Sequence, residues 1–254
     1  MAPLANGIWQ RYRLSMGDTI YSKKFFVERA KEVGIAKIIL KQVTDILRPT
    51  SIVDLGTGVG SWLAAAKQLE ITNVRGLDGP WVPRELRQIA ESEFLAVDLE
   101  KPLPDLGRFD MAICAEVLEH ISEAASVKAV KWLCQSAPAI LFSAAVPHQG
   151  GTNHINEAWH STWAHRFEVH GFKTYDIVRP MIWADGRIPF WYRQNLLLMA
   201  NDETGEKLGL GPANPDYLDF IHPDSYLGRS NRVVHLENKR LNGRLRALRR
   251  RLFG

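Results

Sequence analysis

The sequence predicts an α/β fold, in which a mostly parallel β-sheet carries helices on both of its faces. Short apolar stretches of strand length alternate along the chain with stretches of helical periodicity, a pattern typical of repeated strand–helix–strand units. A turn with three glycines separates the first strand from the helix that follows it. The chain has 254 residues, which is enough for one such domain with a well-buried core.

Seven strands are predicted from apolar runs that are bounded by turn residues. They lie at residues 51–55, 73–77, 94–97, 109–114, 139–142, 173–178 and 195–200. Helical periodicity predicts helices at residues 27–47 and near residues 62–68, 83–91 and 124–134. The segment between the last two strands is rich in turn residues, and we interpret it as a loop or an irregular hairpin.

This pattern divides the chain into four parts. Residues 1–50 form an N-terminal helical segment, in which Tyr21, Phe25 and Phe26 are candidates for a lid. Residues 51–200 form the sheet domain. Residues 201–228 are rich in Gly, Pro, Asp and Asn and predict a linker, and residues 229–254 predict a basic amphipathic helix with leucines between arginines.

The basic charge of the chain is concentrated in its last segment. The net charge is +4, yet residues 229–254 contain nine Lys or Arg residues and one Glu, so the rest of the chain is net acidic. A nucleic-acid partner is therefore not expected for the sheet domain. Three roles stay open for the tail: a solvated helix, a partner-binding helix, or peripheral contact with an anionic membrane surface.

Cysteine usage and hydropathy indicate a cytoplasmic location. Cys114 and Cys134 lie in apolar contexts without metal-like spacing, so we expect both to be reduced core residues. No apolar run reaches the length of a transmembrane helix, and the N-terminus has no apolar stretch of the signal-peptide kind. The sequence leaves the oligomeric state open.

The strand at residues 51–55 leads into the most informative motif, Asp54-Leu55-Gly56-Thr57-Gly58-Val59-Gly60-Ser61-Trp62. Glycines allow a backbone to approach a ligand closely and to adopt angles that other residues disfavour. The start of the following helix then presents free N–H groups. The fingerprint of nicotinamide-binding folds would require a glycine at position 61, where this chain has Ser61.

Three further motifs end the next strands in order. Asp78-Gly79 ends the second strand, where an acid can accept hydrogen bonds from ribose hydroxyls. Asp98-Leu99 ends the third strand, and Glu116-Val117-Leu118-Glu119-His120 follows the fourth. Ligands bind at the carboxyl ends of parallel strands, which is where all four motifs fall.

Taken in this order, the motifs resemble those of class I methyltransferases that use S-adenosyl-L-methionine (SAM). The resemblance implies a seven-stranded Rossmann-like sheet in the order 3-2-1-4-5-7-6, with the last strand antiparallel. It also implies that the acid after the third strand meets the adenine amino group and that the segment after the fourth strand lines the methyl region. The residues expected to contact SAM are Asp54, Gly56, Thr57, Gly58, Gly60, Trp62, Asp78, Gly79, Asp98, Leu99 and Glu116.

The segment after the fifth strand is the candidate acceptor site. Residues 143–163 are crowded with His, Asn, Glu and Trp around a Gly-Gly turn. Together with Trp191-Tyr192-Arg193-Gln194-Asn195 they resemble a bacterial subgroup of small-molecule or glycan methyltransferases. His154 is the first candidate for a general base, with Glu157 orienting its ring, because histidine titrates near neutral pH. His120 is the second candidate. A purely structural role is the alternative for both histidines.

No metal site is predicted from the spacing of the histidines. His148, His154 and His160 are separated by six residues each, which matches neither a pair on one helix face nor a zinc pattern. Several aromatic residues near this segment are candidates for a wall that binds a sugar or a flat acceptor, with packing in the core as the alternative. They are Trp159, Trp163, Trp183, Trp191 and Tyr192.

The leading hypothesis is therefore methyl transfer to a hydroxyl of a small molecule or glycan. N-methylation, with His154 positioning the acceptor, is a second possibility, and a non-catalytic SAM-binding interaction module is a third. Nucleic-acid methyltransferases that act on ring amino groups often carry an Asn/Asp-Pro-Pro-aromatic motif after the fourth strand. Here that position is Ala115-Glu116-Val117-Leu118, which argues against such an acceptor.

Overall fold

The computed structural model describes residues 21–209 and 211–253, and it describes side chains as far as residue 242. Of these described residues, those as far as Asp219 form one compact unit, and those from Phe220 onward form a second. Trp9 and Tyr12, which belong to the predicted N-terminal segment, lie outside the described residues.

The first unit contains seven strands. They are β1 (Ser51–Leu55), β2 (Asn73–Asp78), β3 (Phe94–Ala96), β4 (Met111–Ala115), β5 (Ala139–Ser143), β6 (Phe172–Tyr175) and β7 (Leu197–Asn201). Its helices are α1 (Lys23–Ala30), α2 (Val33–Leu47), α3 (Ser61–Lys67), α4 (Glu123–Ser136), α5 (His160–Glu168), α6 (Val178–Ile182), α7 (Phe190–Asn195) and α8 (Asp202–Leu208).

The strands form one sheet in the order β3-β2-β1-β4-β5-β7-β6. Pairing is parallel from β3 through β5, and β7 is antiparallel to both of its neighbours. The predicted fold class, strand order and antiparallel last strand are confirmed. The order also places the carboxyl ends of β1, β2, β4 and β5 at one edge of the sheet, which is where ligands bind in open α/β folds.

The central strands are buried along nearly their whole length because helices cover both faces of the sheet. Every residue of β1 is buried, and its side chains alternate between two cores. Ile52 packs in one core with residues of α2 and α3, whereas Val53 packs in the other with residues of α4 and α5. These two layers of helices fix the sheet and therefore its carboxyl edge.

Two predicted segments differ from the structure. Residues 83–91, predicted as a helix, contain only the short 3₁₀ turns Arg84–Leu86 and Glu91–Glu93. Arg87 has extended backbone between them because its guanidinium stacks on the ring of Phe94, 3.6 Å from the ring centre. The segment at residues 179–194, predicted as a loop or irregular hairpin, contains most of the two short helices α6 and α7, whose first and last residues were predicted as strand.

The second unit is dominated by one long helix, α9 (Pro223–Phe253). It begins before residue 229, and the predicted linker at residues 201–228 also contains helix α8 and a 3₁₀ turn at Pro215–Tyr217. Among its described side chains, six large apolar or aromatic ones are more than half exposed, namely Tyr226, Leu227, Val233, Val234, Leu236 and Leu241. Among the described helices, none combines the length and apolar character needed to cross a membrane.

A buried arginine ties the end of the sheet domain together. The side chain of Arg179 in α6 is only 2% exposed and forms a two-point ion pair with Asp176, at 2.8 and 2.7 Å. The same guanidinium donates to the backbone carbonyls of Gln194, at 3.3 Å, and Leu218, at 2.8 Å. It therefore joins α6, the end of α7 and the last turn of the first unit.

We expect Arg179→Met to lower the free energy of unfolding by about 3–5 kcal/mol, because it leaves a carboxylate and two buried carbonyls without this donor. Arg187 is the matched control. Like Arg179 it pairs with a nearby aspartate, here Asp185, but its side chain is 72% exposed. Arg187→Met should change stability by less than about 0.5 kcal/mol. Urea unfolding measures both changes, and equal losses would contradict the assigned role of Arg179.

Candidate active site

A cavity of about 960 Å³ opens at the carboxyl edge of the sheet. Its volume is in the range that binds cofactors and drug-sized molecules. Of the residues expected to contact SAM, eight line it: Gly56, Thr57, Gly58, Trp62, Asp78, Asp98, Leu99 and Glu116. The candidate catalytic residues His120 and His154 line it as well. The structure therefore brings most members of both predicted sets to one cavity.

The glycine-rich loop is fastened to the end of β2. The N–H groups of Gly56 and Thr57 both donate to the carbonyl of Leu77, at 2.8 and 3.0 Å, and the N–H group of Gly58 donates to the Asp78 carboxylate at 2.7 Å. Three successive backbone donors are thus bound by two consecutive residues. The loop is rigid where it lines the cavity.

Two of the loop glycines are required for different reasons. Gly56 has φ of +78°, and a side chain there would collide with Val117, whose nearest atom would lie 2.3 Å from the added carbon. Gly58 has φ of +55°, and no atom lies within 4 Å of the position that its side chain would occupy. Gly58 therefore presents bare backbone to open space, as expected of a loop that a ligand approaches closely.

The Asp78 carboxylate is held by backbone donors. One oxygen accepts from the Gly58 N–H group and the other from the Gly79 N–H group. Burial raises the pKa of Asp78, and these two hydrogen bonds oppose that rise. Each oxygen keeps a further lone pair, so the carboxylate can accept hydroxyl donors from a ligand in the cavity.

The third strand contributes Asp98 and Leu99. One Asp98 oxygen accepts from the Glu100 N–H group at 3.1 Å, and the other lies 3.7 Å from the ammonium of Lys101. Leu99 packs against the second core and also lines the cavity. The pair offers a hydrogen-bond acceptor beside an apolar surface, which suits an aromatic ring with an amino group.

Three of the predicted cofactor residues stand behind the cavity wall. Asp54 is buried within β1, and its Oδ2 atom has no hydrogen-bond partner among the described residues. Burial raises the pKa of Asp54 to about 7. Gly60 precedes helix α3 with φ of +85°, and Gly79 packs beneath the ring of Trp81. These residues support the loop and do not line the cavity.

Glu116 lies directly after β4 in a left-handed backbone conformation, with φ of +56°. Amide side chains hold its carboxylate: Asn195 donates to Oε1 at 3.1 Å, and Gln149 donates to Oε2 at 3.4 Å. Burial raises the pKa of Glu116, while the hydrogen bond from Asn195 lowers it. Gln194 donates to the oxygens of both amides, which completes a buried polar network.

Glu119, His120 and His154 form a second polar cluster in the cavity wall. Each offers one ligand atom, and these atoms lie within 4.8 Å of one another. The two imidazole rings meet edge to face, with 4.8 Å between their centres. Burial, followed by the nearby His154, lowers the pKa of His120 to about 4. His120 is therefore neutral near pH 7.

His154 is oriented by Glu157, as the sequence-based hypothesis requires. Nδ1 of His154 lies 3.0 Å from Oε1 of Glu157, and the other oxygen of Glu157 accepts the His148 N–H group at 2.6 Å. Glu157 itself does not line the cavity. This geometry agrees with a supporting role for Glu157, and it leaves Nε2 of His154 for chemistry.

The predicted aromatic wall is only partly present. Trp191 and Tyr192 line the cavity, and Tyr192 packs edge to face on Trp62. Trp163 is fully buried in the core, whereas Trp159 and Trp183 are absent from the cavity wall. Tyr21, Phe25 and Phe26, the candidates for a lid, also line the cavity.

Sequence reasoning did not select Glu119, Gln149 or Asn195. Glu119 stands beside His120 in the motif that follows the fourth strand, and this adjacency is the signal that the sequence offers for it. Gln149 and Asn195 are 46 residues apart in sequence, and their hydrogen bond at 2.9 Å follows from the pairing of β5 with β7. No local pattern indicates such a contact.

Comparison with known proteins gives the same class of protein. Residues 26–177 match the family model described as a methyltransferase domain, which is more than half of the chain. The chain therefore belongs to this methyltransferase family, and its methyl donor is SAM. No curated protein sequence matches the chain.

Solved structures share the fold at low sequence identity. An O-methyltransferase family protein from Burkholderia thailandensis is 14% identical, with 71% of this chain and 60% of that chain covered and a TM-score of 0.51. N,N-8-amino-8-demethyl-D-riboflavin dimethyltransferase from Streptomyces davawensis is 17% identical, with 72% and 61% covered and a TM-score of 0.51. The chain thus spans about three fifths of the length of these structures.

The buried Asp54 predicts a pH dependence of stability. Its pKa of about 7 in the folded protein exceeds the ordinary value of 3.8, so the folded state binds this proton more tightly than the unfolded chain. The resulting stabilisation is fully present below about pH 4 and is lost as pH rises through 7. Between pH 5 and pH 8, the unfolding free energy of the wild type should fall by about 2–3 kcal/mol relative to that of Asp54→Asn.

Urea unfolding of both proteins at several pH values measures this difference. Asp105→Asn, a substitution at an exposed position, serves as the control. Parallel curves for the wild type and Asp54→Asn would show that Asp54 ionises normally in the folded protein.

Proposed function

We propose that the chain transfers the methyl group of SAM to a hydroxyl of a small molecule or of a sugar unit in a glycan. The observation that carries this proposal is the shared cavity, which both the glycine-rich loop and the pair His120–His154 line. A donor site and a group that can bind an acceptor oxygen thus lie in the same enclosed space. Holding the two reactants together is the main task of such an enzyme.

The first part of the proposal concerns how SAM is held. Asp78 accepts hydrogen bonds from the ribose hydroxyls, because its oxygens are fixed by Gly58 and Gly79 and keep free lone pairs. Asp98 accepts from the adenine amino group, and Leu99 packs on the adenine ring. The bare backbone at Gly58 allows the cofactor to approach the loop. Asp54 and Gly60 act indirectly, by holding the loop in position.

Glu116 stabilises the charged end of the cofactor. The side chains of Asn195, Gln149 and Ser143 hydrogen-bond its carboxylate, which also lies beside the Glu119 carboxyl. No described Lys or Arg forms an ion pair with it, so its negative charge remains available to a cation in the cavity. Bound SAM supplies a methyl group on a positively charged sulfur. A carboxylate on this wall favours the binding of that sulfonium, and Trp62 and Tyr192 close the apolar side of the same space.

The second part concerns the acceptor. His120 and His154 project from the wall that follows β4 and β5, and they bind the acceptor hydroxyl. The oxygen forms its new bond to the methyl carbon as the carbon–sulfur bond breaks, and the hydroxyl gives up its proton. In the sequence-based hypothesis, His154 receives this proton while Glu157 orients the ring, an arrangement typical of general bases.

Cofactor binding tests the first part. Asp78→Asn keeps the size of the side chain but replaces one acceptor oxygen with a donor, so we expect the Kd for SAM to rise about tenfold or more. Isothermal titration calorimetry measures this change, and Asp216→Asn, at an exposed position, is the control. Unchanged affinity in Asp78→Asn would exclude the proposed ribose contact.

Matched acceptors test the second part. We expect transfer of a labelled methyl group from SAM to phenols and sugars, with at least tenfold lower kcat/KM for analogues in which an amine replaces the hydroxyl. The comparison measures both members of each pair with the same enzyme preparation. Faster methylation of the amines would replace this proposal with N-methylation, in which His154 only positions the acceptor.

A further inference from the structure

The cluster Glu119–His120–His154 has the composition of a metal site. Its three ligand atoms, which lie within 4.8 Å of one another, come from two separate segments of the chain. Glu119 and His120 belong to the 3₁₀ turn Leu118–His120 after β4, and His154 belongs to the segment after β5. Two imidazoles and one carboxylate that converge on one point form a recognised set of metal ligands.

The backbone fixes this convergence. The carbonyl oxygen of Glu119 accepts the N–H groups of Ile155, at 2.8 Å, and Asn156, at 3.1 Å. The side chain of Asn156 also donates to the carbonyl of Leu118 at 3.0 Å. The turn that carries Glu119 and His120 is therefore bonded directly to the segment that carries His154. The three side chains are held together before any ligand binds.

The histidines also have the outer partners that metal ligands usually have. Nδ1 of His154 contacts the Glu157 carboxylate at 3.0 Å, which leaves Nε2 as the nitrogen that can bind a cation. Nδ1 of His120 lies 3.4 Å from the carbonyl oxygen of Asn153. A carboxylate or a backbone carbonyl on the second ring nitrogen fixes the orientation of a metal-binding histidine and increases its basicity.

Glu119 supplies an independent observation. Its side chain is completely buried, Oε1 accepts the Ala145 N–H group at 3.2 Å, and Oε2 meets no N–H or O–H donor among the described residues. The carboxyl group of Glu116 lies beside that of Glu119, so two carboxyl groups meet here. No described Lys or Arg forms an ion pair with it. A buried carboxyl oxygen without a partner is costly. A cation shared with the two histidines would satisfy this oxygen.

We propose that Glu119, His120 and His154 bind a divalent first-row transition-metal cation such as Mn²⁺, Co²⁺ or Zn²⁺. Two imidazole ligands favour these ions over Ca²⁺ and Mg²⁺, which prefer sites made of oxygen atoms. Three protein ligands leave coordination positions open, and the cluster lines the cavity. The spacing of His148, His154 and His160 did not predict this site because its ligands are brought together by contacts between distant segments.

The cation would act on the acceptor, and this part rests on the proposed function. A hydroxyl bound to a divalent cation loses its proton to solvent water more readily, because the cation stabilises the alkoxide. The alkoxide oxygen then forms the bond to the methyl carbon as the carbon–sulfur bond breaks. His154 is in this case a ligand, and the cation takes over the activation that the sequence-based hypothesis gave to a free imidazole.

The site is tested by metal binding, without an acceptor. Protein treated with EDTA and freed of chelator is titrated with CoCl₂ and followed by visible absorption, and with MnCl₂ and followed by electron paramagnetic resonance. We expect one bound ion per chain, and at least a tenfold increase in Kd for His154→Ala and for Glu119→Gln. SAM binding by the same variants, measured by calorimetry, shows that they are folded.

His165→Ala is the matched control. Nδ1 of His165 also lies close to a glutamate three residues later, at 2.8 Å from Glu168, but this pair is exposed and does not line the cavity. Metal binding should be unchanged in this variant. The proposal would be overturned if the wild type bound neither Co²⁺ nor Mn²⁺ at about 1 mM of the ion, a concentration that corresponds to weak binding. It would also be overturned if all three variants bound the ions equally well.

Activity then separates the metal site from the proposed function. We expect EDTA treatment to abolish hydroxyl methylation and addition of MnCl₂ to restore it, while SAM binding stays unchanged. This combination of results supports the role of the cation. Full activity without bound metal would overturn that role. His154 would then again be the candidate for the group that receives the proton of the acceptor hydroxyl. Metal binding without methylation of any hydroxyl would leave the site intact and contradict the proposed acceptor.

Discussion

The attachment of the glycine-rich loop to the end of β2 is the constraint on which the site depends. Leu77 and Asp78 together accept three consecutive N–H groups of the loop, so the loop cannot move without disrupting β2. The same attachment places the Asp78 carboxylate against the loop that it helps to hold. Because β2 pairs with β1, and β1 with β4, the positions of Asp78, Gly58 and Glu116 are all set by one continuous hydrogen-bonded sheet.

The fold and the cofactor side of the cavity could be predicted because their signals are local in sequence. The strands of the sheet are compact apolar runs, and the residues at their ends, such as Gly58, Asp78 and Asp98, meet at one edge as a consequence of parallel pairing. Residues 83–91 were predicted wrongly as a helix because their helical spacing is outweighed by specific contacts, above all the stacking of Arg87 on Phe94.

The acceptor side was predictable only in part. His120, His154 and Glu157 could be selected by residue type and by their place after β4 and β5. Their neighbours could not, because Gln149 and Asn195 reach Glu116 through the antiparallel pairing of β7 with β5. Glu119 lies near His154 because backbone hydrogen bonds join the 3₁₀ turn after β4 to the segment after β5. Contacts between segments this far apart in sequence leave no periodic pattern from which they could be predicted.

The backbone of Glu116 has a consequence for how this protein can change. A glutamate with φ of +56° occupies a conformation that glycine or asparagine adopts more easily, so the chain gives up folding stability at this position. Random substitution and selection for thermal resistance alone would favour the relaxed residues, and each would remove a carboxylate from the cavity wall. Laboratory evolution of a more thermostable variant should therefore keep Glu116 unchanged. A higher melting temperature obtained by substitution at this position would come from removing the carboxylate that the cavity wall needs.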